Sequence, residues 1–258
     1  MKHPRGIVLT AALLLTLGAV ATKLQAVTVW DLKNDWNLPN NPNGPWSYNA
    51  GNTPMPYRVN TAFGPGYSLS PSGFGHVPIW AQSPFTSGFV QAGDIIVHAW
   101  DQYNGAGGQA NVTWTSPIDG FVDISGFTYL SNYGDRLGRW RLSIDGVEVT
   151  GGALVGPPVD TYSSSNPFNF STGYGGASVL QNVHVSIGDV IQFQFEKLNI
   201  SASYAGPSGI VGLTITERAD TIPDNMHAAK ALLLCLLLLV GFARTQRELT
   251  IRPSVMRN

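Results

Sequence analysis

Cysteine is almost absent: the 258-residue chain has one, Cys235, inside a C-terminal apolar run. That excludes disulfides, thiolate metal sites and cysteine catalysis between Val27 and Arg218. Charge is scarce too, with Asp, Glu, Lys and Arg making up 12% of residues. Residues 27–218 hold seven Lys or Arg against thirteen Asp or Glu. An acidic surface repels phosphate backbones, so nucleic acid is excluded as a partner. The histidines of this region, His76, His98 and His184, form no His-x-His or His-Glu-x-x-His pair. There is no Gly-x-Ser-x-Gly elbow and no glycine-rich junction between a strand and a helix. Serine nucleophiles and phosphate loops therefore have no support. No stretch of residues 27–218 carries the apolar period of a helix.

What is present is alternation. In Gln109–Thr115, Ala110, Val112 and Trp114 face one way, with Asn111, Thr113 and Thr115 opposite. Leu137–Ile144 turns Trp140, Leu142 and Ile144 inward and Arg139, Arg141 and Ser143 outward. Val190–Glu196 alternates Ile191, Phe193 and Phe195 with Gln192, Gln194 and Glu196. Further strands are expected at His76–Ala81, Asp94–Trp100, Phe121–Leu130, Val147–Thr150, Val179–Ile187 and Gly209–Glu217. In Val179–Ile187, one face would hold Val179, Val183, Val185 and Ile187. Asp145-Gly146 reads as a tight hairpin turn. Asp31–Gly51 and Gly64–Pro84 read largely as structured loops, and Gly151–Gly176 as a long polar insertion with four aromatics. Many short strands and no helix predict an all-β fold, an antiparallel two-sheet sandwich. A jelly roll is the first topology and an immunoglobulin-like sandwich the second.

The two ends read differently. Lys2 and Arg5 precede an uncharged apolar segment, Gly6–Ala21, with the small-x-small exit Ala19-Val20-Ala21 and a second option after Ala26. That pattern is a secretory signal peptide over residues 1–26. Residues 219–258 hold the unbroken apolar run Ala231–Ala243, then Arg244, Arg247, Arg252 and Arg257. A short transmembrane helix followed by a basic tail keeps the tail cytoplasmic and residues 27–218 outside. The sandwich is thus expected to be flanked by an N-terminal signal helix and a C-terminal apolar helix.

The motif Ile222-Pro223-Asp224-Asn225, the apolar run and Arg244 together resemble the PEP-CTERM class of bacterial sorting signals, in its Val-Pro-Asp-Ser-Gly variant. The box Asn41-Pro-Asn-Gly-Pro-Trp-Ser-Tyr48 is similar to one near the mature N-terminus of such proteins. Trp114-Thr-Ser-Pro-Ile-Asp-Gly120 and Gly188-Asp-Val-Ile-Gln-Phe193 extend the likeness. The resemblance implies a protein exported to the cell envelope or extracellular matrix, an exosortase-type processing enzyme as partner, and a location near exopolysaccharide. It implies no assigned activity.

For chemistry, the leading expectation is a non-catalytic structural or exopolysaccharide-associated protein, with a carbohydrate-binding module as the alternative. Sugars stack on aromatic faces and bond to amides and carboxylates. The candidate glycan-binding residues are Trp46, Tyr48, Trp100, Asp101, Tyr103, Asn104 and Tyr133. A glycoside hydrolase ranks lower, because it needs two carboxylates flanking the scissile bond. Here Asp119, Asp145 and Asp189 have a simpler role in turns. No cofactor is expected. Calcium is compatible with a sandwich module, but no Asp-x-Asp-x-Asp-Gly loop is present.

Overall fold

The computed structural model describes residues 27–72, 78–100, 109–131, 136–156, 159–198 and 206–219. The expected signal peptide, the sorting motif Ile222–Asn225, the C-terminal apolar run and Arg244 lie outside these residues. So does His76. Among the described residues the chain is all-β: fifteen strands form two antiparallel sheets, with two short 3-10 turns and no α-helix. No helix among them is long and apolar enough to cross a membrane.

The small sheet contains β2 (Trp46–Ala50), β3 (Thr53–Pro54), β8 (Ala110–Thr115), β10 (Gly138–Ile144), β11 (Val147–Leu154) and β14 (Val190–Lys197), in the order β11-β10-β14-β8-β2-β3. The large sheet runs β12 (Phe168–Asn169), β9 (Gly120–Leu130), β15 (Ser208–Glu217), β7 (Ile95–His98), β6 (Ile79–Gln82), β5 (Gly64–Ser68), β4 (Tyr57–Thr61). In addition, β1 (Val29–Asp31) pairs with β15, and β13 (Val183–Val185) with β9. From β7 to β10 each strand crosses to the opposite sheet, and β14 and β15 cross once more.

Alternation explains the core. Ala110, Val112, Trp114, Trp140, Leu142, Ile191, Phe193 and Phe195 are all fully buried on the inner face of the small sheet. Val211, Leu213 and Ile215 meet them from the large sheet. Aromatic pairs span the gap: Trp30 against Trp114 at 5.0 Å, Tyr67 against Tyr48 at 5.4 Å and Trp80 against Phe193 at 6.4 Å. Each buried aromatic removes a large apolar area from water, so these rings dominate the burial energy. The Asp145-Gly146 turn forms as expected, with φ of 48° and 79°, the signs that a two-residue hairpin matching strand twist requires.

Three expectations are corrected. Asp31–Gly51 is not only loop, because Trp46–Ala50 pairs with β8 as a strand of the small sheet. Its Trp-Ser-Tyr-Asn-Ala alternation is a short period-two signal among turn residues. Val179–Ile187 is not one strand. Ser178–Leu180 is a 3-10 turn, Asn182 takes φ of 55°, and pairing is confined to Val183–Val185. Ile187 consequently lies outside the sheet and is 73% exposed. The polar insertion Gly151–Gly176 supplies strand and core: β11 continues to Leu154, while Phe168 and Phe170 pack against Trp140 at 5.2 and 4.8 Å.

Candidate functional site

Of the seven aromatic and polar residues expected to meet a ligand, two are placed in the core. Trp46 and Tyr48 have no exposed surface. The Trp46 indole N–H donates to the Asp35 carboxylate at 3.0 Å, and the Tyr48 ring meets Trp36 at 4.5 Å. Burial, then the neighbouring Tyr67 and Asp35, raises the Tyr48 phenol well above its ordinary range. The Asn41 side chain donates to the carbonyls of Tyr48 and Met55, at 2.7 and 3.1 Å, and accepts from the Tyr48 N–H at 2.9 Å. One amide thus replaces a strand neighbour. The Asn41–Tyr48 box is a structural lock here, with its aromatics turned inward. Trp100 is half-buried at the end of β7, whereas Asp101, Tyr103, Asn104 and Tyr133 lie outside the described residues.

The outer faces of the two sheets are the remaining surfaces. On the small sheet the outward side chains form rows across the strands: Asn49, Asn111, Gln194 and Arg141 in one, Glu196 and Arg139 in the next. Their hydrogen bonds are internal. Glu196 accepts from Arg139 and Arg141, from Gln194 at 3.0 Å and from Gln109 at 3.4 Å. Arg141 also pairs with Glu148 at 3.2 Å, and Glu148 accepts from the Tyr174 hydroxyl. That bond, followed by Arg141, holds the Glu148 carboxyl below its usual range. Burial together with Glu148 pushes the Tyr174 phenol up to about 12. Asn49 donates to Thr113 at 3.2 Å and accepts from Ser47 at 2.7 Å. This face is largely self-saturated.

The large sheet is covered at one end and open in the middle. The segment Ser83–Asp94 folds over Ile96, Tyr129 and Ile210, with Val90 and Phe89 closing a second small apolar cluster. The Tyr129 hydroxyl donates to the Phe89 carbonyl at 3.2 Å. Beyond that cover lies a groove of about 370 Å³ over β15 and β9, lined by Lys33, Asn34, Asp94, Ser125, Phe127, Asn169, Gly212 and Thr214 among others. A second hollow of about 230 Å³ shares Ser125, Gly126 and Asn169 and extends toward Ser171 and Gln181. Together they run across the strand order β12-β9-β15-β7, a span of ~14 Å at the usual strand spacing.

The groove's charged groups are already engaged. Asp94 accepts from Lys33 at 3.3 Å and from the Gln91 N–H at 2.7 Å. Asp31 accepts from the Lys33 and Asn34 N–H groups, at 3.1 and 2.9 Å, and from the Thr214 hydroxyl at 2.9 Å. By contrast, Asn34, Ser125, Asn169, Ser171 and Gln181 are exposed, and their side chains make no hydrogen bond among the described residues. Those three amides and two hydroxyls supply donors and acceptors without net charge. No group of three His, Cys, Asp or Glu among the described residues is placed to hold a metal ion.

No family model matches this chain, and neither does any curated protein. Among solved structures, it is similar to the CBM36-1 domain of a multidomain xylanase from the hindgut metagenome of Trinervitermes trinervoides. The identity is 14% and the TM-score 0.32, over 76% of this chain and 100% of that one. It is also similar to a carbohydrate-binding module CBM36 in complex with calcium and xylotriose. There the identity is 14% and the TM-score 0.27, over 51% of this chain and 85% of that one. Neither likeness assigns a residue or a ligand to this chain.

Proposed function

We propose that this protein is an exported, non-catalytic jelly-roll module that binds a neutral, hydroxyl-rich polysaccharide in the groove on its large sheet. The strand order supports the topology: β7-β15-β9-β12 faces β8-β14-β10-β11, the arrangement of two interlocked Greek keys. The observation that carries the ligand class is the division of labour in the groove. Its ionic groups and the Thr214 hydroxyl are paired, while the side chains of Asn34, Ser125, Asn169, Ser171 and Gln181 are exposed and make no hydrogen bond among the described residues. Sugar hydroxyls both donate and accept, which suits Asn34, Asn169 and Gln181. Catalysis has no comparable support, because the Asp31 and Asp94 carboxylates are held by internal donors. Export rests on the residue 1–26 signal pattern, and surface retention on the C-terminal run with its likeness to PEP-CTERM signals. Processing by an exosortase-type enzyme belongs to the same reading.

The test is affinity electrophoresis of the full chain in native gels containing arabinoxylan, hydroxyethylcellulose or galactomannan, with alginate as the anionic counterpart. At least one neutral gel should retard the protein, and alginate should not. Asn34→Ala and Asn169→Ala should each weaken retardation about fivefold, the value of roughly one hydrogen bond. Full-strength retardation of both variants, or free migration of the wild type in every gel, removes the proposal.

A further inference from the structure

The groove lining holds one aromatic side chain, Phe127, which is not part of the inner core. Phe127 sits on the outward side of β9, directly across from Gly212 of β15. A Cβ at Gly212 would fall 2.5 Å from Cε1 of Phe127, 2.9 Å from Cζ and 3.1 Å from Cδ1. Three adjoining ring carbons therefore occupy the place of the missing side chain, and the ring lies across the neighbouring strand. Phe127 is held there by Tyr129, two residues on, whose ring is within 12° of parallel at 6.1 Å. Tyr129 is itself 2% exposed and anchored to the Phe89 carbonyl. The ring is consequently fixed on its Gly212 and Tyr129 sides, yet Phe127 remains half-buried and lines the groove.

We infer that Phe127 is the stacking platform of the groove and that Gly212 is the residue that lays it down. This rests on the polysaccharide-binding reading above and specifies what that site recognises: a pyranose ring presenting its C–H face. Such a face is apolar and slightly positive, and it complements the negative face of an aromatic quadrupole. Its equatorial hydroxyls then point sideways, toward Ser125 on the same strand and Asn169 on β12. An aromatic ring covering a cross-strand glycine also stabilises a sheet. That purely structural role would be served by any apolar side chain of similar reach. Stacking requires a flat face, and the two roles separate on this point.

The experiment uses the same arabinoxylan, hydroxyethylcellulose and galactomannan gels, with thermal melts on every variant. Phe127→Leu keeps apolar cover over Gly212 and removes the flat face. It should lose roughly tenfold in affinity, the value of one stacked ring. Phe127→Tyr should stay within twofold of the wild type. Gly212→Ala must displace the ring and should weaken retardation as Phe127→Leu does. If Phe127→Leu binds like the wild type while Asn169→Ala does not, the groove stands and the platform falls. If the wild type migrates freely in every neutral gel, the groove itself falls and takes the platform with it. Should Phe127→Leu fail to fold, Phe127→Trp decides. A larger face should tighten retardation, and unchanged or weaker binding overturns the inference.

Discussion

The two outer faces of this sandwich treat polar side chains in opposite ways. On the small sheet, Glu196, Arg139, Arg141, Gln194, Glu148 and Tyr174 bond to one another in a connected network. On the large sheet, Asn34, Ser125, Asn169 and Gln181 face solvent around a groove with no internal partner among the described residues. The first arrangement resists a ligand, since a newcomer must replace bonds already made. The second exchanges only water. A polar sheet face is therefore informative about binding only after its internal hydrogen bonds have been counted.

That contrast can be broken at its strongest point by Glu196→Ala. The Glu196 side chain is 14% exposed and neutralises two guanidinium groups. Its removal should destabilise the fold by roughly 2 kcal/mol, because partly enclosed charges lose their acceptor. Chemical denaturation should read that loss, while polysaccharide retardation stays at the wild-type level. Loss of binding with unchanged stability would instead place the site on the small sheet.

Acid should sharpen the same difference. The Glu148 carboxyl is lowered in the folded state, chiefly by the Tyr174 hydroxyl and then by Arg141. Its contribution is therefore complete above the unfolded value of about 4.3 and is lost as pH falls through the depressed folded value. Melting temperature should drop in that acidic window, and Glu148→Gln should flatten the drop. A wild-type profile without such a drop would contradict the network. The smallest effect is expected in the groove: Ser125→Ala and Gln181→Ala should shift stability by no more than about 0.5 kcal/mol. Either one lowering stability by several times that amount would show a structural bond at a position that is open here.

Several strands were legible because their alternation is long. Ala110–Thr115, Gly138–Ile144 and Val190–Lys197 each bury their apolar set on one side, as period-two reasoning requires. Trp46–Ala50 was obscured by the Asn and Pro residues before it, and Asn41 shows why they are there. The hairpin of Tyr57–Thr61 and Gly64–Ser68 carries little apolar signal, with Pro65 and two glycines in its second strand. Aromatics in turn-rich sequence misled the site reading. Trp46 and Tyr48 stand beside turn residues in the chain, yet their side chains meet Asp35, Trp36 and Tyr67 from other elements. Most of the groove lies on strands expected from the sequence: Ser125 and Phe127 fall in Phe121–Leu130, and Gly212 and Thr214 in Gly209–Glu217, whereas Asn34 and Asn169 fall in stretches read as loop and insertion. Nothing in the chain order announced that Gly212 lies opposite Phe127.

Composition and periodicity determined the chemical character of residues 27–218: acidic, disulfide-free, built of alternating strands and without a Gly-x-Ser-x-Gly or phosphate-loop motif. Those are local properties, carried by each residue and its near neighbours. Register decided the rest. Pairing β9 with β15 set a phenyl ring against a glycine, and the Ser83–Asp94 cover left that half of the sheet open. Pairing β10 with β14 brought Arg139 and Arg141 onto Glu196 and closed the other face. Contacts between residues some 50 to 90 positions apart depend on which strands become neighbours. That is settled by how the whole apolar surface is buried, and no local pattern contains it.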